Sequence, residues 1–412
     1  MKCYVVSLGC PKNLVDTENI LYNFSKQNIE FVYDPEKADI LFVNTCAFIQ
    51  KAIKESVNKI LEIAQNKKEN QKLVVAGCLI SRFKNQIESQ IPEIDVFVDT
   101  NSTNSVNLNK KFNYCDFAKP FGVEERIITT YPYAYLRISD GCHHNCSFCT
   151  IPQIRGPYRQ KNPEYIKSEF IQLLEKGIRE IVLIAQDTSC YNNNNNNLSK
   201  LLKDLSKIEG NYWIRVLYLY PSSITDDLID TIASTPRIVP YFDIPLQHVS
   251  NKILKLMQRN YDKKFICNLF DKLLKYDVAI RSTFIVGFPC EEEKDFNEIL
   301  DFINNYRIDR LGAFEYSKEE NTKSATYGNV VAYNTKRKRK ALLLDTQKRL
   351  SKKNLERFIG KKLKVIIDGP KIARSFLDAP EIDGLVKLKR ERQVGDFEEI
   401  VISKTGFYDL YE

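Results

Sequence analysis

With 412 residues and a net charge of +8, the chain is too long for one ordinary core, and two or three domains are expected. No apolar run approaches the length of a membrane span. Its eleven cysteines would suggest disulfides in a secreted protein. The opening Met1–Cys10 has no long apolar stretch and no small-residue cleavage site, however, so a cytoplasmic location with reduced thiols is expected. Many reduced thiols point to metal or redox work.

In chain order, residues 2–7, 39–44 and 72–76 are short apolar or β-branched runs, with helical stretches around 13–27 and 50–67 between them. Strands alternating with helices predict a small parallel α/β domain. A polar, weakly patterned passage follows from Thr100 to Thr130. The alternation then resumes: 134–139, 180–185, 213–219, 241–244 and 280–287 read as strands, separated by helices such as 163–176 and 250–259. That repeat predicts a partial βα barrel, whose strand C-termini face the active site. The run Asn192–Asn197 reads as an exposed loop tip without function. From Val331 to Arg357 ten Lys/Arg stand against Asp345 and Glu356, so this segment alone accounts for the net charge. It reads as a basic amphipathic helix with Ala341, Leu342, Leu344 and Leu350 on its apolar side. Such a stripe is either a solvated connector or a contact for an RNA-rich partner. Residues 363–367, 385–388 and 398–403 are short strand-like runs with turns between them, predicting a small C-terminal β-barrel. The domains expected are therefore 1–115, 128–357 with the basic helix at 331–357, and 358–412.

The chemistry is concentrated in Cys142-His143-His144-Asn145-Cys146-Ser147-Phe148-Cys149. Three thiols at this spacing offer soft ligands without an adjacent fourth, whereas a closed structural metal site wants four. On a cubane iron–sulfur cluster, three thiolates leave one iron open to a small molecule. The alternative is a zinc site completed by His143, His144 or a distant residue. Three further cysteines each follow a predicted strand of the first domain: Gly9-Cys10-Pro11, Thr45-Cys46-Ala47 and Gly77-Cys78-Leu79. Loops leaving successive parallel strands gather at one sheet edge, so these thiols are able to converge. Cys3, Cys115, Cys190, Cys267 and Cys290 have no partner at ligand spacing and read as structural or incidental.

The C-x3-C-x2-C stretch with Phe148 before its last cysteine resembles the signature of radical S-adenosylmethionine enzymes. Together with Cys10, Cys46 and Cys78 it resembles the methylthiotransferases of that superfamily. The opening Ser7-Leu8-Gly9-Cys10-Pro11-Lys12-Asn13-Leu14-Val15-Asp16 is similar to the RimO branch. Further matches are Gln186-Asp187-Thr188-Ser189, Asp243–His248, Phe284–Pro289 and Asp378–Gly384. The resemblance spans essentially the whole chain.

The resemblance implies an α/β protein with an N-terminal methylthiotransferase domain, a partial TIM-like barrel and a C-terminal TRAM β-barrel. It implies two 4Fe-4S clusters and two molecules of S-adenosylmethionine. Cys142, Cys146 and Cys149 would ligate the cluster that cleaves S-adenosylmethionine to a deoxyadenosyl radical. Cys10, Cys46 and Cys78 would hold the cluster that carries the transferred sulfur. Phe148, Gln186, Gln247 and Gly287 would line the cofactor site. The implied substrate is the β-carbon of an aspartate in small-subunit ribosomal protein twelve, free or within the ribosome, with ribosomal RNA contact and a reduced flavodoxin- or ferredoxin-type electron donor. A hydrogen on such a carbon is hardly acidic, so a radical rather than a tuned base is the appropriate tool. One departure stands out: after Gly287-Phe288-Pro289 the family pattern favours Gly-Glu, and this chain has Cys290-Glu291, where a side chain replaces hydrogen. The acidic Asp378–Asp383 loop reads as suited to a basic ribosomal protein. The competing readings are an adenosine of transfer RNA as substrate, and a non-catalytic iron–sulfur or zinc redox sensor.

Overall fold

The computed structural model describes all residues except 85, 116–120 and 195. The first domain is a parallel sheet of six strands: β1 (Lys2–Ser7), β2 (Glu30–Val32), β3 (Ile40–Thr45), β4 (Lys72–Gly77), β5 (Val96–Val98) and β6 (Phe112–Asn113), in the spatial order β2-β1-β3-β4-β5-β6. Strand β3 is buried at every position, as expected of a parallel strand covered on both faces. Its alternate residues serve different cores. Leu41 and Val43 pack with Ile60, Leu79 and Ile80, whereas Ile40 and Phe42 pack with Ile20 and Phe24 of α1 (Pro11–Lys26). The short strands β2, β5 and β6 escape the sequence reading because two or three residues carry too little periodicity.

The second domain carries β7 (Tyr133–Arg137), β8 (Glu180–Ile184), β9 (Trp213–Val216), β10 (Tyr241–Asp243), β11 (Ala279–Val286) and β12 (Arg310–Glu315). They form two parallel three-stranded sheets, β9-β8-β7 and β10-β11-β12, joined by the bridge Ile214–Ile238 and by the Leu219 N–H donating to the Asp243 carbonyl at 2.8 Å. The result is an open, six-stranded partial barrel. Its outer face packs Ala134, Leu136 and Ile138 under helices carrying Ile166, Phe170 and Leu173. Asn192–Asn193 and Asn196–Asn197 pair as a small ribbon.

The last piece is a curled six-stranded sheet, β13 (Lys362–Gly369), β14 (Ile372–Arg374), β15 (Val386–Lys387), β16 (Phe397–Val401), β17 (Lys404–Thr405) and β18 (Leu410–Tyr411), in the order β16-β13-β14-β15-β18-β17. It fills the barrel interior from one side. Arg374 reaches Glu180 at 2.5 Å, Glu180 also holds Arg215 at 2.6 Å, and Arg310 pairs with Asp378. Tyr241 Oη donates to Asp383 at 2.6 Å.

Two sequence expectations need correction here. Asp378 and Asp383 were expected to face a basic partner, but Asp378 is fully buried and both acids are neutralised inside the chain. The buried charges answer arginines that the barrel strands point inward. The basic helix, Tyr333–Glu356, buries Arg339, Leu343, Gln347, Ser351 and Leu355, while Ala341 and Leu342 are exposed. Of the apolar side read from the sequence, Leu344 and Leu350 pack half-buried against the core, and the fully buried stripe beside them begins with Arg339, held by Glu291 and Glu293.

Candidate active site

Three loops leaving the C-terminal edge of the first sheet bring Cys10, Cys46 and Cys78 together. Cys10 caps α1, Cys46 directly follows β3, and Cys78 opens α2 (Cys78–Phe83). The loops run so close that two positions exclude a side chain. A Cβ at Gly9 (φ +108°) would stand 3.0 Å from Cys46 Cβ, and one at Gly77 (φ +99°) would stand 2.2 Å from Asn44 Oδ1. Asn13 is the hub. Its Oδ1 accepts from the Cys10 thiol at 3.6 Å and from the Cys78 thiol at 3.5 Å, while its Nδ2 donates to the Thr45 carbonyl at 2.7 Å. Arg155 Nη2 reaches the same Oδ1 at 3.3 Å and Cys78 Sγ at 3.7 Å. Burial pushes the Cys46 thiol up to about 12. It also raises Cys78, with Arg155 opposing. Burial thus favours the protonated forms of Cys46 and Cys78, and a metal binding there would displace those two protons. Three sulfurs beside one guanidinium suit an anionic iron–sulfur group, whose charge the arginine offsets.

Cys142, Cys146 and Cys149 lie on the loop that follows β7. The Cys149 N–H donates to the Cys146 carbonyl at 3.1 Å, and the His144 N–H donates to Cys142 Sγ at 3.4 Å. Arg259 Nη1 donates to Cys146 Sγ at 3.5 Å, so this set also has its own guanidinium. Burial raises Cys142 to about 11 and Cys149 to about 12. The loop is pinned by Ser147, whose N–H donates to the Met257 carbonyl at 3.0 Å and whose Oγ donates to the Leu256 carbonyl at 2.8 Å. The donor set again fits a cluster, and both histidines bring a ring nitrogen within 4.8 Å of Cys190 Sγ. His144 Nε2 is 2.7 Å from Asp187 Oδ2, its ring is stacked on Tyr220 at 3.9 Å, and His143 is exposed.

Gln186, Gln247 and Gly287 all follow barrel strands on the C-terminal side. Phe148 and Gly287 meet through Phe288, whose ring lies edge-on to Phe148 at 6.3 Å. Gly287 has φ +72°, and its N–H and that of Phe288 donate to Glu291 Oε2 at 2.7 and 3.1 Å. Glu291 is in turn held by Arg339 at 2.8 Å. Gln186 donates to Asp140 at 2.9 Å, and its neighbour Asp187 meets His144 of the Cys142 loop. Gln247, at φ +69°, spends its N–H on the Thr283 carbonyl.

The two thiol sets are tied by charge. Arg155 comes from α3 (Ile151–Arg155), immediately after Cys149, and pairs with Asp16 of α1 at 2.6 Å. Asp16 also pairs with Arg137 of β7 at 2.7 Å, Arg137 with Glu124, and Glu124 with Lys161 at 3.0 Å. The passage 100–130, weakly patterned in sequence, thus supplies Glu124 and Arg126 to a buried ionic clamp. Lys12, 8% exposed, extends from α1 over the Tyr218 ring at 3.5 Å, and Tyr218 itself has φ +63°. Sequence reading missed Asn13, Arg155, Arg259 and Glu291 as site residues. Asn13 stands in the quoted opening decapeptide and Glu291 beside the noted Cys290, whereas Arg259 has no local signal. Cys190, read as incidental, is 2.7 Å from Asp187 Oδ2 and 3.7 Å from His144 Nε2. Cys290 is half-buried at φ +67°.

Comparison with known proteins places these features in context. Residues 2–99 match Uncharacterized protein family UPF0004, residues 136–303 the Radical SAM superfamily, and residues 359–411 the TRAM domain. The chain is 40% identical to ribosomal protein uS12 methylthiotransferase RimO of Aquifex aeolicus, covering 100% of this chain and 96% of the relative. It is 42% identical to the protein of the same name in Clostridium acetobutylicum, covering 100% and 97%. Among solved structures, the radical S-adenosylmethionine methyltransferase TsrM of Kitasatospora setae superposes with a TM-score of 0.58 at 11% identity, over 78% of this chain and 76% of that one. The cobalamin-dependent radical enzyme OxsB gives 0.51 at 13% identity, over 84% and 56%. These last two likenesses concern the fold alone.

Proposed function

The chain belongs to the family of ribosomal protein uS12 methylthiotransferases and is a radical S-adenosylmethionine enzyme, and from that premise we propose that it places a methylthio group on the β-carbon of an aspartate of uS12. We assign Cys142, Cys146 and Cys149 to one 4Fe-4S cluster and Cys10, Cys46 and Cys78 to a second. When bound, the first would supply the radical and the second the sulfur to be transferred, with two S-adenosylmethionine molecules used in each turnover. The observation that carries this reading is Asn13, which gathers Cys10 and Cys78 on one oxygen while Arg155 ties that set to the loop of the other.

The chain's own residues orient and shield. Arg155 and Arg259 each set a buried positive charge against a cysteine sulfur, which would offset the negative charge of a bound cluster. Glu291 fixes the Gly287–Phe288 turn through two backbone N–H groups, which holds in place the loop we assign to the cofactor site. Lys12 brings an ammonium into the interior between α1 and the barrel, positioned to receive a carboxylate. The exposed cations of the basic helix, Arg337, Lys338, Lys348, Arg349, Lys352 and Lys353, form the surface we assign to ribosomal RNA around the target.

Anaerobic reconstitution tests the cofactor assignment, with about eight irons per chain expected for two clusters. Mass spectrometry of uS12 and of transfer RNA from a deletion strain tests the substrate. Loss of one methylthio group from uS12 supports the reading, and loss from transfer RNA with uS12 unaffected overturns it. Absence of 5′-deoxyadenosine from the reduced enzyme would return the chain to a redox-sensor role.

A further inference from the structure

Outside the two cysteine sets, His143, His144 and Cys190 each bring one ligand atom within 4.8 Å of the others. We propose that these three residues, with Asp187, form a binding site for a borderline divalent cation such as Zn2+, beside but separate from the Cys142 set.

The donor chemistry selects the metal. Two imidazoles, a thiolate and one carboxylate oxygen suit zinc, whereas Mg2+ and Ca2+ require oxygen ligands. The geometry is near what such an ion needs. Cys190 Sγ and His144 Nε2 are 3.7 Å apart. That separation is close to the edge of a tetrahedron with bonds of about 2.3 Å to sulfur and about 2.0–2.1 Å to nitrogen.

Asp187 Oδ2 lies 2.7 Å from His144 Nε2 and 2.7 Å from Cys190 Sγ, so it faces both ligand atoms. Its other oxygen is fixed, accepting from Ser189 Oγ at 2.6 Å and from the Cys190 N–H at 3.2 Å. The arriving ion takes the place of the thiol proton, which leaves to solvent, and of the imidazole–carboxylate hydrogen bond; Oδ2 becomes the fourth ligand.

The site is also preorganised and open. His144 is stacked on Tyr220 at 3.9 Å, and His143 meets the edge of Tyr158 at 5.4 Å. His143 is exposed and offers an entry path, while Cys190 and His144 are half-buried. The elements come from two loops that the chain must already bring together: the one after β7, and the one after β8. The His144 N–H bonds Cys142 Sγ, so an ion here would add positive charge next to the radical-generating centre.

Zinc also binds free thiols, so the test uses the iron-loaded enzyme. Zn2+ is titrated anaerobically against a chromophoric chelator, zinc and iron are counted after dialysis, and the zinc shell is read by X-ray absorption. One zinc per chain over unchanged iron is expected, with a single sulfur at about 2.3 Å and lighter neighbours at about 2.0–2.1 Å. Cys190→Ser and His143→Asn should each weaken binding by more than about tenfold, since even outer partners of a metal contribute that much. His143 is exposed, so its variant reports on the site even where Cys190→Ser perturbs folding. The proposal is overturned by failure to retain zinc, by affinity unchanged in both variants, or by an all-sulfur shell accompanied by loss of iron.

Discussion

Arg155 Nη2 lies 3.7 Å from Cys78 Sγ, although the two residues belong to different domains. The arginine sits six residues after Cys149, so the loop that carries one thiol set also supplies the cation of the other. Its removal leaves Asp16 buried, with Arg137 as its remaining ion-pair partner. Breaking a buried pair from one side costs about 3–5 kcal/mol. Arg155→Met should therefore lower unfolding stability by about that amount in chemical denaturation and lose iron from the Cys10 set first, to about four irons per chain. Arg155→Lys should recover part of the stability. Full iron content in Arg155→Met would show that the guanidinium is not needed to hold that set.

Lys12 presents the opposite case, a buried charge without an ion pair among the described contacts. Burial pushes its ammonium below the usual lysine range, with Cys10 opposing that shift, and its close partner is the Tyr218 ring. Replacing a buried charge by an apolar side chain of similar length is often neutral or stabilising. Lys12→Met should leave the melting temperature equal or higher while weakening binding of uS12 by about tenfold or more, the size of one charged hydrogen bond. An Asp→Asn variant of uS12 should bind both enzymes alike. Equal binding of native uS12 to both would dismiss Lys12 as the carboxylate receptor.

Legibility in the sequence followed the length scale of the cause. Strands such as β3 were visible because a parallel strand buried on both faces is a short continuous apolar run between turn and helix signals. The convergence of Cys10, Cys46 and Cys78 was legible from their placement after successive parallel strands. Asn13 as their hub was not, since nothing local distinguishes an amide that reaches across to Cys78, sixty-five residues away. The inward acids Asp378 and Asp383 were misread because net charge records residues and not the arginines they meet after folding. The approach of Cys190 to His144 was equally invisible, because the two lie on different loops.

Two neighbouring positions test the turn that follows β11. Gly287 has φ +72°, and a Cβ there would stand 2.3 Å from Lys336 Cγ. The left-handed conformation costs a non-glycine residue about 1–2 kcal/mol. Gly287→Ala should therefore destabilise the enzyme by about 2 kcal/mol, displace Lys336 from the Tyr316 carbonyl that it donates to at 3.1 Å, and weaken S-adenosylmethionine binding. Cys290, at φ +67°, carries the same strain already. Cys290→Gly should relieve it for a net gain of about 0.5–1 kcal/mol after the added freedom of the unfolded chain. Unchanged iron content in that variant would agree with a residue that ligates no cluster, and loss of iron would contradict it.

The joint between barrel and C-terminal sheet should be acid-sensitive through Glu180. Burial pushes this carboxyl up, but Arg374 and Arg215 outweigh burial and hold it below the ordinary carboxylate range. A group whose folded pKa is depressed stabilises the fold above its unfolded pKa of about 4.3, and that stabilisation is lost as pH falls toward the folded value. Stability should thus be level with respect to this group at neutral pH and fall below about pH 4.3, as protons bind the unfolded chain more readily. Glu180→Gln removes the titrating group and leaves Arg215 and Arg374 facing each other across a neutral amide. The variant should lose about 3–5 kcal/mol at pH 7. Its stability should also fall less steeply than that of the native chain between about pH 4.3 and 3. Denaturant unfolding at a series of pH values measures both, and parallel curves for the two proteins in the acid range would exclude Glu180 as a source of the dependence.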